Sequence, residues 1–190
     1  STSYSSLHYE ISQKIVRADF LYFPAPRHKV EFGLDATDYS LQPGKREPLG
    51  DYSTVEPKKL EREQALEPSL YLSDEFEVTP SLTVTAGVRG TCFMAFGPKT
   101  EYRYYPDISK SVESIRDTVT YGHGTVYQLY PEIEFRLSSR LLLGPSLSLK
   151  IGVQRAYQYL HMISNTTSMS PTDIWKLSDS YIKPQRGDQY

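Results

Sequence analysis

The sequence predicts an all-β protein, an antiparallel up-and-down meander of about six long strands. Three observations predict it. Apolar and polar residues alternate over about sixteen residues, 81–96, where a typical strand has roughly 5 to 6. The candidate connections come in two kinds, tight turns containing proline and long polar stretches. The charged residues of the alternating segments gather on the face opposite the apolar one.

Composition sets the outer limits. A chain of 190 residues fits one ordinary domain or a piece of something larger. Its longest apolar run is the five residues Cys92–Phe96, whereas a spanning helix needs roughly 20. Mean hydropathy of −0.49 is low, yet 16 Tyr, 7 Phe and 1 Trp are far more aromatics than disordered chains carry. The 21 basic and 23 acidic residues nearly cancel, so no footprint for nucleic acid is present. Cys92 is the sole cysteine, which excludes an internal disulfide and a cysteine-rich zinc site. The chain opens at Ser1 without a basic and apolar leader, so any signal peptide is expected outside these residues.

The first hairpin, about 5–42, runs from Ile15 to Phe23, turns at Pro24–His28 and returns through Val30, Phe32, Leu34 and Ala36. Its apolar parity slips between Ile11 and Val16, where a bulge is expected. The second, about 68–97, places Leu70, Leu72, Phe76 and Val78 on one face, turns at Pro80, and continues with Leu82, Val84, Ala86, Val88, Cys92 and Met94. Pro80 lacks an N–H for a ladder bond and so marks a turn. The third, about 128–163, alternates Leu129, Ile133, Phe135 and Leu137, turns at Pro145, and resumes with Leu147, Leu149, Ile151 and Val153. Turns within hairpins span about three to five residues; the connections at about 43–66, 98–126 and 164–190 are long and polar. In a meander, alternate connections share one end of the sheet, so all short turns lie at one end and all long loops at the other. That is the plan of an outer-membrane barrel.

The wet parity carries Glu75, Glu77, Arg89, Glu132, Glu134, Arg136, Arg140 and Lys150. That many charges do not fill a packed core; they suit a polar lumen, with the other parity toward lipid. Arg89 is expected to pair with a Glu of a neighbouring strand. Tyr22, Phe23, Phe76, Phe93, Phe96, Tyr157 and Tyr159 lie near strand ends, where aromatic girdles form. The meander is therefore expected to be part of a large transmembrane β-barrel.

Several pieces resemble the TonB-dependent outer-membrane receptors, the Bacteroidota type in particular: Leu70–Phe76 followed by Thr79–Arg89, Tyr130–Ile151, Tyr157–His161, Pro171-Thr-Asp-Ile-Trp175, and Lys183-Pro-Gln-Arg-Gly-Asp-Gln189. The resemblance covers nearly the whole chain. It implies a plugged barrel of about 22 strands, in the cell outer membrane and contacting its lipid, that takes up a nutrient of the siderophore, glycan, cobalamin or peptide class. The family's plug engages the TonB complex; no plug domain or TonB box is recognisable here. Six strands cannot close such a barrel, so the chain is expected to be a segment of the C-terminal β-barrel.

No cofactor and no catalytic activity are expected. His8, His28, His123 and His161 lack metal-ligand spacing. Glu132 and Glu134 share a strand face but have no nucleophile or oxyanion donor beside them. The Asn165–Thr167 sequon and the Tyr121-Gly-His-Gly124 turn carry no chemistry that turn propensity does not explain. Ligand capture is expected in the loops, with Tyr102, Tyr104, Tyr105, His161 and Trp175 as candidates whose aromatic faces could equally pack the loops onto themselves. The alternative is a soluble β-sandwich binding module, such as a surface glycan binder, and a barrel enzyme is a third, weaker reading.

Overall fold

The computed structural model describes residues 5–48, 58–109, 111–163 and 174–190. It is all-β and antiparallel. In chain order the strands are β1 (Ser5–Ala25), β2 (His28–Pro48), β3 (Lys58–Lys59), β4 (Glu63–Thr79), β5 (Leu82–Phe96), β6 (Lys99–Tyr104), β7 (Ile115–Tyr121), β8 (Val126–Gly144), β9 (Leu147–Gln158), β10 (Leu160–Ile163), β11 (Ile174–Leu177) and β12 (Gln185–Gln189). The main sheet runs β1-β2-β4-β5-β8-β9-β12, with β3 added to part of β2. Every neighbour is antiparallel, which makes this an up-and-down meander. The sheet is open, with β1 and β12 at its ends.

The principal strands number seven, one more than expected. The additional one, β12, lies in the stretch read as loop 164–190 and pairs Gln185–Gln189 with Gln158–Gln154. Its four polar residues and one glycine carry no apolar alternation, which is why period two does not reveal it. Strand also enters the other stretches read as loops: β2 continues to Pro48, β4 begins at Glu63, and 98–126 folds into the β6–β7 hairpin. The Asn165 sequon and Pro171–Asp173 lie outside the described residues.

The three long hairpins share one turn. Each has two residues between strands, Pro26-Arg27, Pro80-Ser81 and Pro145-Ser146, shorter than expected. Proline pre-sets φ for the first turn position, and no residue in these turns has positive φ, so they are of the type I kind. A type I turn splays a two-residue hairpin against the natural strand twist. In each case the incoming strand carries one extra residue beside the turn, between Tyr22 and Ala25, Glu77 and Thr79, and Leu142 and Gly144. Such a bulge adds twist and restores the pairing. At the second turn the Thr79 hydroxyl also accepts from the amides of Ser81 and Leu82.

No bulge occurs between Ile11 and Val16. The β1–β2 register is continuous from Glu10 to Tyr22; the slip is real in the pattern but not in the backbone. Ile11 and Ile15 therefore stand on the face shared with Asp35 and Thr37, and Val16 and Phe20 on the opposite one. Elsewhere the parity separates faces as expected. One face stacks Phe32, Leu72, Val88 and Phe135 across four strands, and the other stacks Gly33, Tyr71, Arg89 and Glu134.

Burial inverts the usual arrangement. The apolar face is exposed: Leu70 is 66% exposed, Ile133 67% and Ile151 62%. The buried polar residues lie on the polar face, with Asp35 at 5% and Ser69 and Thr91 each at 4%, while Glu75, Glu77, Arg136, Arg140 and Lys150 of that face, nearer the turns, stay exposed. A small apolar core of Leu41, Ala65, Phe93, Ala95, Tyr159 and Leu177 lies on that same polar-parity face, at the end away from the turns. Phe93 and Tyr159, expected in a girdle, are thus buried, and Tyr157 packs against them; Tyr22 and Phe23 are exposed.

Candidate functional site

The inner, polar-parity face has two levels. Nearer the turns it is a charged groove of about 730 Å³ that reaches from Arg17 on β1 to Gln154 on β9. Asp19, Gly33, Tyr71, Arg89 and Glu134 form one cross-strand row. The Tyr71 hydroxyl reaches over Gly33 to donate to Asp19 at 2.5 Å. That reach requires glycine, since a Cβ there would sit 2.8 Å from the Tyr71 ring and 2.4 Å from the Ala18 carbonyl. Arg89 donates to Asp35 at 2.7 Å and lies 3.6 Å from Glu134, while Arg17 approaches Asp35 at 3.8 Å. Arg89 therefore pairs with a glutamate two residues along from Glu132, as its strand position predicts, but its nearer partner is Asp35.

The remaining expected lining residues share this face. Glu132 stands opposite Thr91 and Arg136 opposite Gly87, Glu75 opposite Thr85 and Glu77 opposite Thr83, and Lys150 opposite Arg140. Glu75, Glu77, Arg136 and Lys150 stand exposed and apart along their strands, whereas Arg89, Asp35 and Glu134 converge. Charges on the outer face have partners too. Arg155 donates to Asp188 at 2.7 Å with its guanidinium 5.2 Å from the Phe135 ring centre, and His28 lies 2.8 Å from Asp74.

The second level is the mouth, at the end opposite the tight turns. Phe93 and Tyr159 stack at 4.6 Å, and the Tyr39 hydroxyl donates to Glu67 at 2.6 Å. The β10–β11 hairpin, joined to the 178–184 segment, sits on this core. Four charges close a ring beneath it: Lys176 lies 2.7 Å from Glu63 and 2.8 Å from Asp179, and Lys99 lies 3.7 and 3.9 Å from the same two acids. Glu63 also accepts from the Leu177 amide, and Asp179 from the amides of Tyr181 and Ile182. Burial opposes the charge of Lys176, but Glu63 and Asp179 outweigh it and raise its pKa. Burial likewise works against Asp179, yet Lys176 and the two amides hold its carboxyl below the usual range.

His161 and Trp175 belong to this cap. His161 shares a 2.9 Å hydrogen bond with Ser178, and Trp175 packs against the core. Both are absorbed in holding the hairpin down. The other three candidates separate. Tyr102 is exposed and its carbonyl accepts the Tyr181 hydroxyl. Tyr104 and Tyr105 line an open cleft of about 730 Å³ together with Arg103, Arg116, Tyr121 and Tyr127, the last two forming a tilted ring pair at 5.6 Å.

Sequence reading does not single out Asp35, Tyr127 or the ring residues Glu63, Lys99, Lys176 and Asp179. Asp35 alternates with Phe32, Leu34 and Ala36 and was recoverable from parity. The ring residues are scattered over 63–179, and nothing local links them. Among the described residues no cluster of three or more His, Cys, Asp or Glu could hold a metal, and no helix is long and apolar enough to cross a membrane. No family model, curated protein or solved structure matches the chain.

Proposed function

We propose that the chain is a wall segment of an outer-membrane β-barrel of the TonB-dependent receptor type, in which the strands separate lipid from a polar lumen and the far-end loops meet the nutrient. One observation carries this reading: the sheet exposes a contiguous apolar face, while its buried polar groups and converging ion pairs lie on the opposite one. In water, exposing contiguous Leu, Ile and Phe across several strands is costly and sticky; in lipid it is the required arrangement. Length agrees. The outer face of β8 is largely apolar from Leu129 to Leu141, roughly 40 Å of strand, which at a tilt of about 40° covers the roughly 25 Å apolar band of such barrels.

The asymmetry of the ends supports the same reading. Three two-residue turns stand at one end, and the β6–β7 and β10–β11 hairpins gather at the other, as short periplasmic turns and long extracellular loops do. The open edges at β1 and β12 call for further strands, since an unpaired edge of this length is an aggregation hazard. Its partners are then membrane lipid, the remaining barrel strands and, through a plug, the TonB complex.

Nitroxide labels at Leu70, Ile133 and Leu149 test this. In the membrane-embedded protein they are expected to be reached by dissolved oxygen and not by a polar nickel chelate, while a label at Arg136 shows the reverse. Labels at the first three positions that prove shielded inside a water-soluble monomer would overturn the reading.

A further inference from the structure

We infer that the cleft between the β6–β7 hairpin and the start of β8 is a binding site for a neutral oligosaccharide. The inference names the ligand class for the loop end of the proposed barrel and rests on that reading only for the direction from which ligand arrives.

The cleft's chemistry selects this class. Tyr104 and Tyr105 from the end of β6, Tyr121 from β7 and Tyr127 from β8 supply aromatic surface within one space of about 730 Å³, inside the roughly 300–1,000 Å³ range of small-molecule sites. Tyrosine offers a flat apolar face and a polar tip, which matches the apolar C–H faces and hydroxyl rim of a pyranose. The charged lining balances: Arg103 and Arg116 against Glu101 and Asp107. Two arginines without the acids would suit a phosphate, a carboxylate sugar or an anionic metal chelate; with them, an anion gains no net attraction. Planar amide, carboxylate and guanidinium groups such as Gln128, Asp107 and Arg116 can instead each bridge neighbouring hydroxyls.

The cleft is also held in shape. Glu101 is buried and fixed by Ser180, Tyr181 is tied to the Tyr102 carbonyl, and the turn at Asp107 uses a positive φ of 66°, which aspartate tolerates. Its back wall is therefore anchored to the cap, and Tyr105, half exposed, is the ring placed to stack on a ligand.

Calorimetry on the full chain in detergent tests this with short neutral glucan, xylan and mannan oligomers and with an oligogalacturonate of similar length. At least one neutral oligomer is expected to bind, the acidic one more weakly. Tyr105→Ala should weaken binding about tenfold or more by removing a stacking face, and Tyr105→Phe, which keeps the ring, should stay within about threefold. Arg136→Ala, in the charged groove away from the cleft, should leave affinity unchanged, with near-ultraviolet circular dichroism showing that each variant is folded. Failure of every neutral oligomer to bind, preference for the acidic one, or a folded Tyr105→Ala that binds as before overturns the site. Binding by a protein whose outer face proves shielded from lipid keeps the site and removes the barrel.

Discussion

The inner face of the sheet is one face in register, yet its two ends are built from opposite materials. Nearer the turns, Arg17, Asp35, Arg89 and Glu134 interlock across four strands; at the mouth, the same parity of β2, β4 and β5 supplies Leu41, Ala65, Phe93 and Ala95. The difference lies in what covers them. The mouth has a lid from its own chain, and Leu177 and Tyr159 complete an apolar core there. The groove has no such cover among the described residues, and its side chains are charged. A strand face therefore follows its local partner, and one strand can serve a core at one level and a wet surface at another.

Four perturbations, taken from the largest expected effect down, distinguish the two levels and the two faces. The largest effect is expected at the mouth: Phe93→Ala removes a fully buried ring stacked on Tyr159 and should cost about 3–5 kcal/mol of stability, read from denaturant unfolding in lipid vesicles. On the outer face, Leu70→Arg should cost about 2–4 kcal/mol in a bilayer and under about 0.5 kcal/mol in water; equal effects in both media would remove the distinction between lipid-facing and solvent-facing positions. In the groove, Gly33→Ala meets the Ala18 carbonyl, a backbone atom that cannot step aside, and should cost about 1–3 kcal/mol. If Tyr71→Ala alone relieved that cost entirely, the ring and not the backbone would be the obstacle.

The smallest effect concerns pH at the cap. Burial lowers the pKa of His161, so its contribution is present in full above the unfolded value near 6.5 and is lost as pH falls through the lower folded value. Asp179 is also depressed; its contribution is present above about 3.9 and is lost only as pH falls through a still lower folded value. Hydrogen exchange, corrected for intrinsic rates, should therefore show β10–β11 loosening first, as pH falls below about 6.5, while the amides of Tyr181 and Ile182 stay protected to below about pH 4. Simultaneous loosening of both would show that the ring does not act independently of His161.

Much of the main sheet was legible in the sequence, because side chains alternate along a regular strand and Leu82–Met94 or Ile133–Leu137 leave one reading of the faces. The prolines at 26, 80 and 145 likewise mark the turns, since each removes a ladder donor. The mouth was far less legible. Alternation places Phe93 on the polar-parity face with Arg89 and Thr91, but only the approach of Tyr159, sixty-six residues further along the chain, shows that a core forms there. For His161 and Trp175 the sequence left ligand capture and packing of the loop onto itself both open, and in the fold His161 bonds Ser178 while Trp175 packs against the core.

The order of residues alone sets the pairing within the three long hairpins, the two chemically distinct faces and the placement of short turns against long connections. Each follows from interactions between residues close in the chain, where backbone geometry leaves few choices. The three-dimensional fold adds what covers the far end of the polar face, where β12 joins the sheet, and the meeting of Glu63, Lys99, Lys176 and Asp179 in one ring. Those outcomes depend on segments far apart in sequence coming within a few ångströms, and electrostatic pairing across such separations leaves no periodic trace in the order of residues.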